Sequence, residues 1–178
     1  MTPQLASLMA AYNRWMNERL FDAAARLDHA TLTADRGAFF GSILATLNHI
    51  AVADTIWLHR FARHPASFAA LDALAAFPQP ASLDQSLAPD LAALREYRQR
   101  LDALIATWVP ELSAEHLATD LAYANMAGVK SGRNFGALLQ HFFNHQTHHR
   151  GQVTTLLSQS GIDVGVTDLL AVIPKRDG

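Results

Sequence analysis

Apolar residues recur at steps of three and four along four long stretches of this chain. That periodicity constrains the fold more than any other feature. In the first stretch Leu5, Leu8, Met9, Tyr12, Trp15, Met16 and Leu20 lead toward Leu27, with Asn13, Arg14, Asn17 and Glu18 between them. Pro3 suits a first helical position, so a helix is predicted over 4–27. A second is predicted over 36–63, through Phe40, Ile43, Leu44, Leu47, Ile50, Trp57, Leu58 and Phe61. Its centre, ILATLNHIAVAD, is apolar on nearly every side, as in a helix packed against several neighbours. The third runs through Leu87, Leu91, Leu94, Tyr97, Leu101, Leu104 and Trp108, after a cap at Ser82 or Ser86, and ends near Pro110. The fourth covers 133–160 and stops at Ser160-Gly161.

Between the second and third helices, Pro65, Pro78 and Pro80 mark a connection long enough to cross the molecule, with a helical turn at 67–75. Residues 111–131, with Gly128, suit a short hairpin. The tail, 162–178, reads as a loop or short strand that packs down in part. Amphipathic helices joined by one long crossover predict an all-α four-helix bundle, a single domain over 1–178. With 178 residues and 50% of them hydrophobic, the chain can bury a core without staples.

Cysteine is absent, which excludes disulfides, thiolate metal sites and cysteine nucleophiles. Lys and Arg number 14 against 16 Asp and Glu, and nothing suggests a basic nucleic-acid surface. The N-terminus has no basic leader, and the apolar stretches break short of the ~20 residues a membrane span needs. A cytoplasmic protein with neither a nucleic-acid nor a membrane partner is expected.

Chemistry concentrates in the histidines. The segment QHFFNHQTHHRGQ places His141, His145 and His149 on one stripe of the fourth helix. His141 and His149 lie about 12 Å apart along the axis, too far to share one metal. His145 and His149 form the natural two-ligand grip, spaced like the histidines of HExxH but without the glutamate. A third ligand is needed from another helix. His49 is the candidate, because an unliganded imidazole is costly in so apolar a helix. Three imidazoles suit zinc, nickel, copper, cobalt or iron better than magnesium or calcium. They leave the ion's double charge uncompensated, which favours hydroxide or thiolate as a fourth ligand. Asn48, Asp54, Asn144 and Gln152 are the polar residues near enough to hold the rings' other nitrogens. His148, Arg150 and Tyr12 have either a structural or a pocket-lining reading. His29, His59, His64 and His116 read as surface or boundary residues, and Gly151 as a point of close helix approach.

The pieces YNRWMNERLF at 12–21, LNHIAVADTIWLHRF at 47–61 and HFFNHQTHHRGQVTTLLSQSG at 141–161 resemble the DinB/YfiT-like family of small metal-binding helical bundles. The last is the most specific, through His145, His149, Arg150, Gly151 and Gln152. The resemblance implies a bundle with a long crossover, often a homodimer. It implies a divalent metal, zinc or nickel, on three histidines that fall here at His49, His145 and His149. By analogy with related thiol-dependent S-transferases, it also implies a low-molecular-weight thiol as cosubstrate, attacking an electrophile. A metal-dependent hydrolase, with Asp54 as the available acid–base group, and a non-enzymatic stress-related metal-binding or interaction protein are the alternative readings.

Overall fold

The computed structural model describes residues 1–175. Helix α1 (Pro3–Ala24) starts where Thr2 accepts the Leu5 amide at its side chain, with proline at the first position. A short α2 (His29–Thr33), capped by Asp28, leads to α3 (Ile43–Phe61), capped by Ser42. The long connection from α3 carries a 3-10 segment at Ala69–Ala76, close to the expected turn. Then come α4 (Leu91–Trp108), α5 (Ala114–Ala118) and an antiparallel hairpin of β1 (Asp120–Ala124) and β2 (Lys130–Asn134). Helix α6 (Phe135–Gln159) follows at once, capped by Asn134.

The long helices form the expected bundle. Helix α1 packs on α4 and α6, and α3 packs on the same two helices. No helix among the described residues is long and apolar enough to cross a membrane.

Three boundaries depart from the sequence reading. The second long helix begins at Ile43, not 36, because Gly37 and Gly41 adopt φ of 67° and 76° and bend residues 36–41 into a loop. Phe40, read as a helical core position, therefore sits on that loop. The third begins at Leu91, not near Ser82 or Ser86: Asp90 is the cap, directly after Pro89. Residues 83–87 instead lie along α3, where they bond its polar side chains. The tail forms a 3-10 turn at Leu169–Val172 and no strand among the described residues; 176–178 fall outside them. Part of the tail does pack down, with Ile162 and Val164 buried and Tyr12 donating to the Thr167 carbonyl at 2.6 Å.

Buried apolar residues gather in two clusters, one around Phe61, Trp108, Phe135 and Phe143, the other around Met16, Leu20, Ile50 and Leu157. Between them lies a polar layer. Each long helix supplies it where its apolar stripe passes from one cluster to the other: Asn13 and Asn17, Asp54, Arg98 and Asp102, then Gln146 and Arg150. Arg98 pairs with Asp54 and contacts Asp102 at 2.9 Å, while Asn17 donates to Asp102 and Arg150 to Asn13. Burial raises both carboxyl groups' pKa against the pull of Arg98, Asp54 to about 6. Sliding any one helix would separate these buried partners and leave charges unpaired, so the layer penalises other registers. Of the two readings the sequence offers for Arg150, a solvated or ion-paired structural group or a pocket-lining one, neither anticipates its place as a buried member of this layer.

Candidate metal centre

Helices α3 and α6 bring His49, His145 and His149 together, residues separated by almost a hundred positions. Their ligand atoms all lie within 4.8 Å of one another. His145 and His149 meet because four residues make just over one helical turn. Their Nε2 atoms are 3.1 Å apart, and His49 Nε2 is 3.4 Å from His145 Nε2. A tetrahedral ion with bonds of 2.0–2.1 Å sets its nitrogen ligands about 3.3–3.4 Å apart.

The outward nitrogens decide the protonation pattern. His49 Nδ1 donates to the Leu83 carbonyl at 2.9 Å, and His149 Nδ1 to Gln152 Oε1 at 2.8 Å. Each ring is thereby held as the tautomer whose Nε2 carries a lone pair. One hydrogen on His145 Nε2 can satisfy one of these lone pairs, not both. A divalent cation satisfies all three nitrogens at once. The donor set therefore fits a borderline transition metal.

Electrostatics point the same way. Burial, together with the neighbouring imidazoles His149 and His49, pushes His145 down to about 3. Burial also lowers His49 and His149, against the opposing pull of their hydrogen bonds to Leu83 and Gln152. The three rings are thus neutral near pH 7, the form that binds metal.

Of the four residues considered for holding the rings, Gln152 alone does so. Asn48 bonds the Gln85 carbonyl and Leu87 amide, Asp54 pairs with Arg98 inside the bundle, and Asn144 is exposed. His141 stays outside the triad, its ring 5.9 Å from His145 and edge-on to Trp57 at 5.2 Å. His148 is exposed, 4.8 Å ring to ring from His149, and meets the Gln152 amide nitrogen at 3.3 Å. Tyr12 lines a cleft with Arg150 and Thr147, but no triad residue lines it. Gly151 is exposed, and among the described residues nothing outside its own helix lies within 4 Å of where its Cβ would be, so it is not a point of close helix approach. His64 corrects the surface reading: it is 4% exposed, bonded to Thr119 and the Ala66 amide.

Two contributors escaped the sequence. Phe40 stacks on the His49 ring at 3.7 Å and meets His149 edge-on at 5.5 Å, covering one side of the triad. Its helical register had hidden it, although Gly37 and Gly41 around it signal a loop. The Leu83 carbonyl is a main-chain group, and no residue type announces it.

A family model described as DinB family matches residues 1–176. Protein DinB of Bacillus subtilis (strain 168) is 27% identical over 157 residues, covering 88% of this chain and 87% of that protein. No solved structure matches significantly. With its helical bundle and histidine cluster, the chain belongs to the DinB family.

Proposed function

We propose that this protein holds a zinc or nickel ion on His49, His145 and His149 and catalyses transfer of a low-molecular-weight thiol to an electrophile. The observation carrying this reading is the convergence of three neutral Nε2 atoms, two of them fixed by bonds at Nδ1. The bound ion would supply Lewis acidity, lowering the pKa of a thiol at its open side so that it reacts as thiolate.

This chain's residues do the rest. The Leu83 carbonyl and Gln152 keep two rings from turning away. Phe40 shields one side of the triad from water. His148 accepts from the Gln152 amide nitrogen and so keeps the Gln152 oxygen turned toward His149, while the thiol's proton leaves to water. The sulfur pair then forms the new S–C bond, and the leaving group departs with its own electron pair. Metal-assisted hydrolysis of an ester or amide is helped by a carboxylate beside the ion, and the metal-ligand group among the described residues contains none. Asp54, the available candidate by sequence, is spent on Arg98.

Elemental mass spectrometry of tag-free protein tests the metal. One equivalent per chain is expected, and none in folded His49→Ala and His145→Ala variants. Thiol consumption with an aryl halide tests the chemistry. Ester or amide turnover without thiol would replace the transferase reading with hydrolysis. A protein that refuses both zinc and nickel would overturn both.

A further inference from the structure

A cationic and aromatic region lies beside the triad, its Trp57 and Tyr123 packed on one side against the core. From His145 a run of ring contacts leads along the α3–α6 surface: to His141 at 5.9 Å, from His141 to Trp57 at 5.2 Å, and from Trp57 to Tyr123 of β1 at 5.4 Å. The Arg60 guanidinium lies over the end of this run, 4.5 Å from the Trp57 ring centre and 5.3 Å from that of Tyr123. Tyr123 also lines a hollow of about 580 Å³ with Arg63 and Lys130.

Stacking satisfies the faces of a guanidinium but not its five N–H donors. Among the described residues no carboxylate pairs with Arg60, Arg63 or Lys130, and the Arg60 side chain donates to no protein acceptor. The acid of the hairpin, Asp120, stands at the far end of the strand pair, opposite Asn134. Arg60 is half-buried, and partial loss of water lowers its pKa, with Arg63 adding repulsion. In a chain with a net charge of -2, Arg63 and Lys130 line the hollow, and Arg60 stands over Tyr123 at its edge, so positive charge gathers there without a paired carboxylate.

Its position suggests what the anion is attached to. His49 and Arg60 are three helical turns apart on α3, about 16 Å along the axis. The Arg60 side chain reaches back over Trp57, which is eight residues or about 12 Å along the axis from His49, so a ligand in contact with both ends needs a span of about 10 Å, that of an extended tripeptide-sized molecule. We propose that Arg60, Arg63 and Lys130 bind the carboxylate end of the thiol cosubstrate, which lies over His141 and Trp57 with its sulfur at the triad. The inference rests on the thiol-transfer reading, and it adds the ligand class: a small thiol carrying a carboxylate about 10 Å from sulfur.

Two measurements separate this inference from the reading it rests on. The first is calorimetric titration with S-methylglutathione, which has carboxylates but no free thiol. Saturable binding is expected, weakened about tenfold in Arg60→Gln. That variant keeps a stem over Trp57, and Arg63→Ala serves as a second variant away from the stack. Metal content and thermal midpoint should match the parent in both. The second is the thiolate charge-transfer band of cobalt-substituted protein with 2-mercaptoethanol, a neutral thiol that ignores the hollow. A band with no S-methylglutathione binding, or with binding equal in both variants, overturns the anion site and spares thiol chemistry. Anion binding lost in the variants, with no band for any thiol, supports the hollow as an anion site and refutes its assignment to a thiol.

Discussion

Replacing Gln152 by Met separates holding a ring from holding the fold. The side chain keeps its length and apolar stem but loses the acceptor that His149 Nδ1 meets at 2.8 Å. The ring can then rotate and adopt the other tautomer, with hydrogen on the nitrogen that should face the ion. A neutral hydrogen bond contributes about 0.5–1.5 kcal/mol net, a two- to tenfold effect. Partners that orient metal-ligating histidines typically govern 10- to 100-fold in affinity. Gln152 is half-buried, so water can replace part of its function, and the expected loss of zinc affinity is about tenfold. A competitive titration against a chromophoric chelator at fixed pH reads it directly. Metal-free protein should keep its unfolding free energy in urea melts within about 0.5 kcal/mol, as for a surface change. Gln152→Glu, which restores an acceptor and adds charge, should bind at least as well as the parent. Unchanged affinity in Gln152→Met would refute the argument that this bond sets the tautomer. So would an equal loss in the Glu variant.

Three further outcomes are expected. Because burial holds His145 at about 3 against 6.5 for an unperturbed imidazole, metal-free protein should lose stability as pH falls below 6.5, where the unfolded chain binds a proton the folded chain refuses. His145→Leu should flatten that slope in urea melts from pH 7 to 4. Arg98→Met leaves Asp54 and Asp102 buried without their cation and should cost about 3–5 kcal/mol by chemical denaturation; a cost below about 1 kcal/mol would mean the layer is not held by this pair. Phe40→Ala removes the ring stacked on His49 and should speed zinc release to chelator while leaving the fold intact, as judged by circular dichroism.

The bundle was legible because long helices need only a repeated apolar stripe, and that stripe is written locally in α1, α3, α4 and α6. The histidine pair on α6 was legible for the same reason: four-residue spacing fixes two side chains on one face whatever surrounds them. His49 could be nominated because its surroundings in the sequence are so apolar. Its partners could not. Leu83 reaches it from a connection whose path depends on Pro89 and Asp90 delaying α4, and Phe40 from a loop that two glycines impose on an otherwise helical pattern.

The polar layer shows the same boundary from inside. Asn13, Arg98, Asp102 and Gln146 each look, alone, like ordinary polar positions on amphipathic helices, and Asp54 and Arg150 stand out without announcing each other. Their burial follows from how the helices are rotated and set in register against one another. The sequence by itself determined the number of long helices, their apolar faces and the two-histidine grip, since each depends on contacts within a few residues. Only the tertiary structure decided which third histidine faces that grip, what holds the rings and where the unpaired cations gather. Those are meetings of distant segments, fixed by packing that no local spacing records.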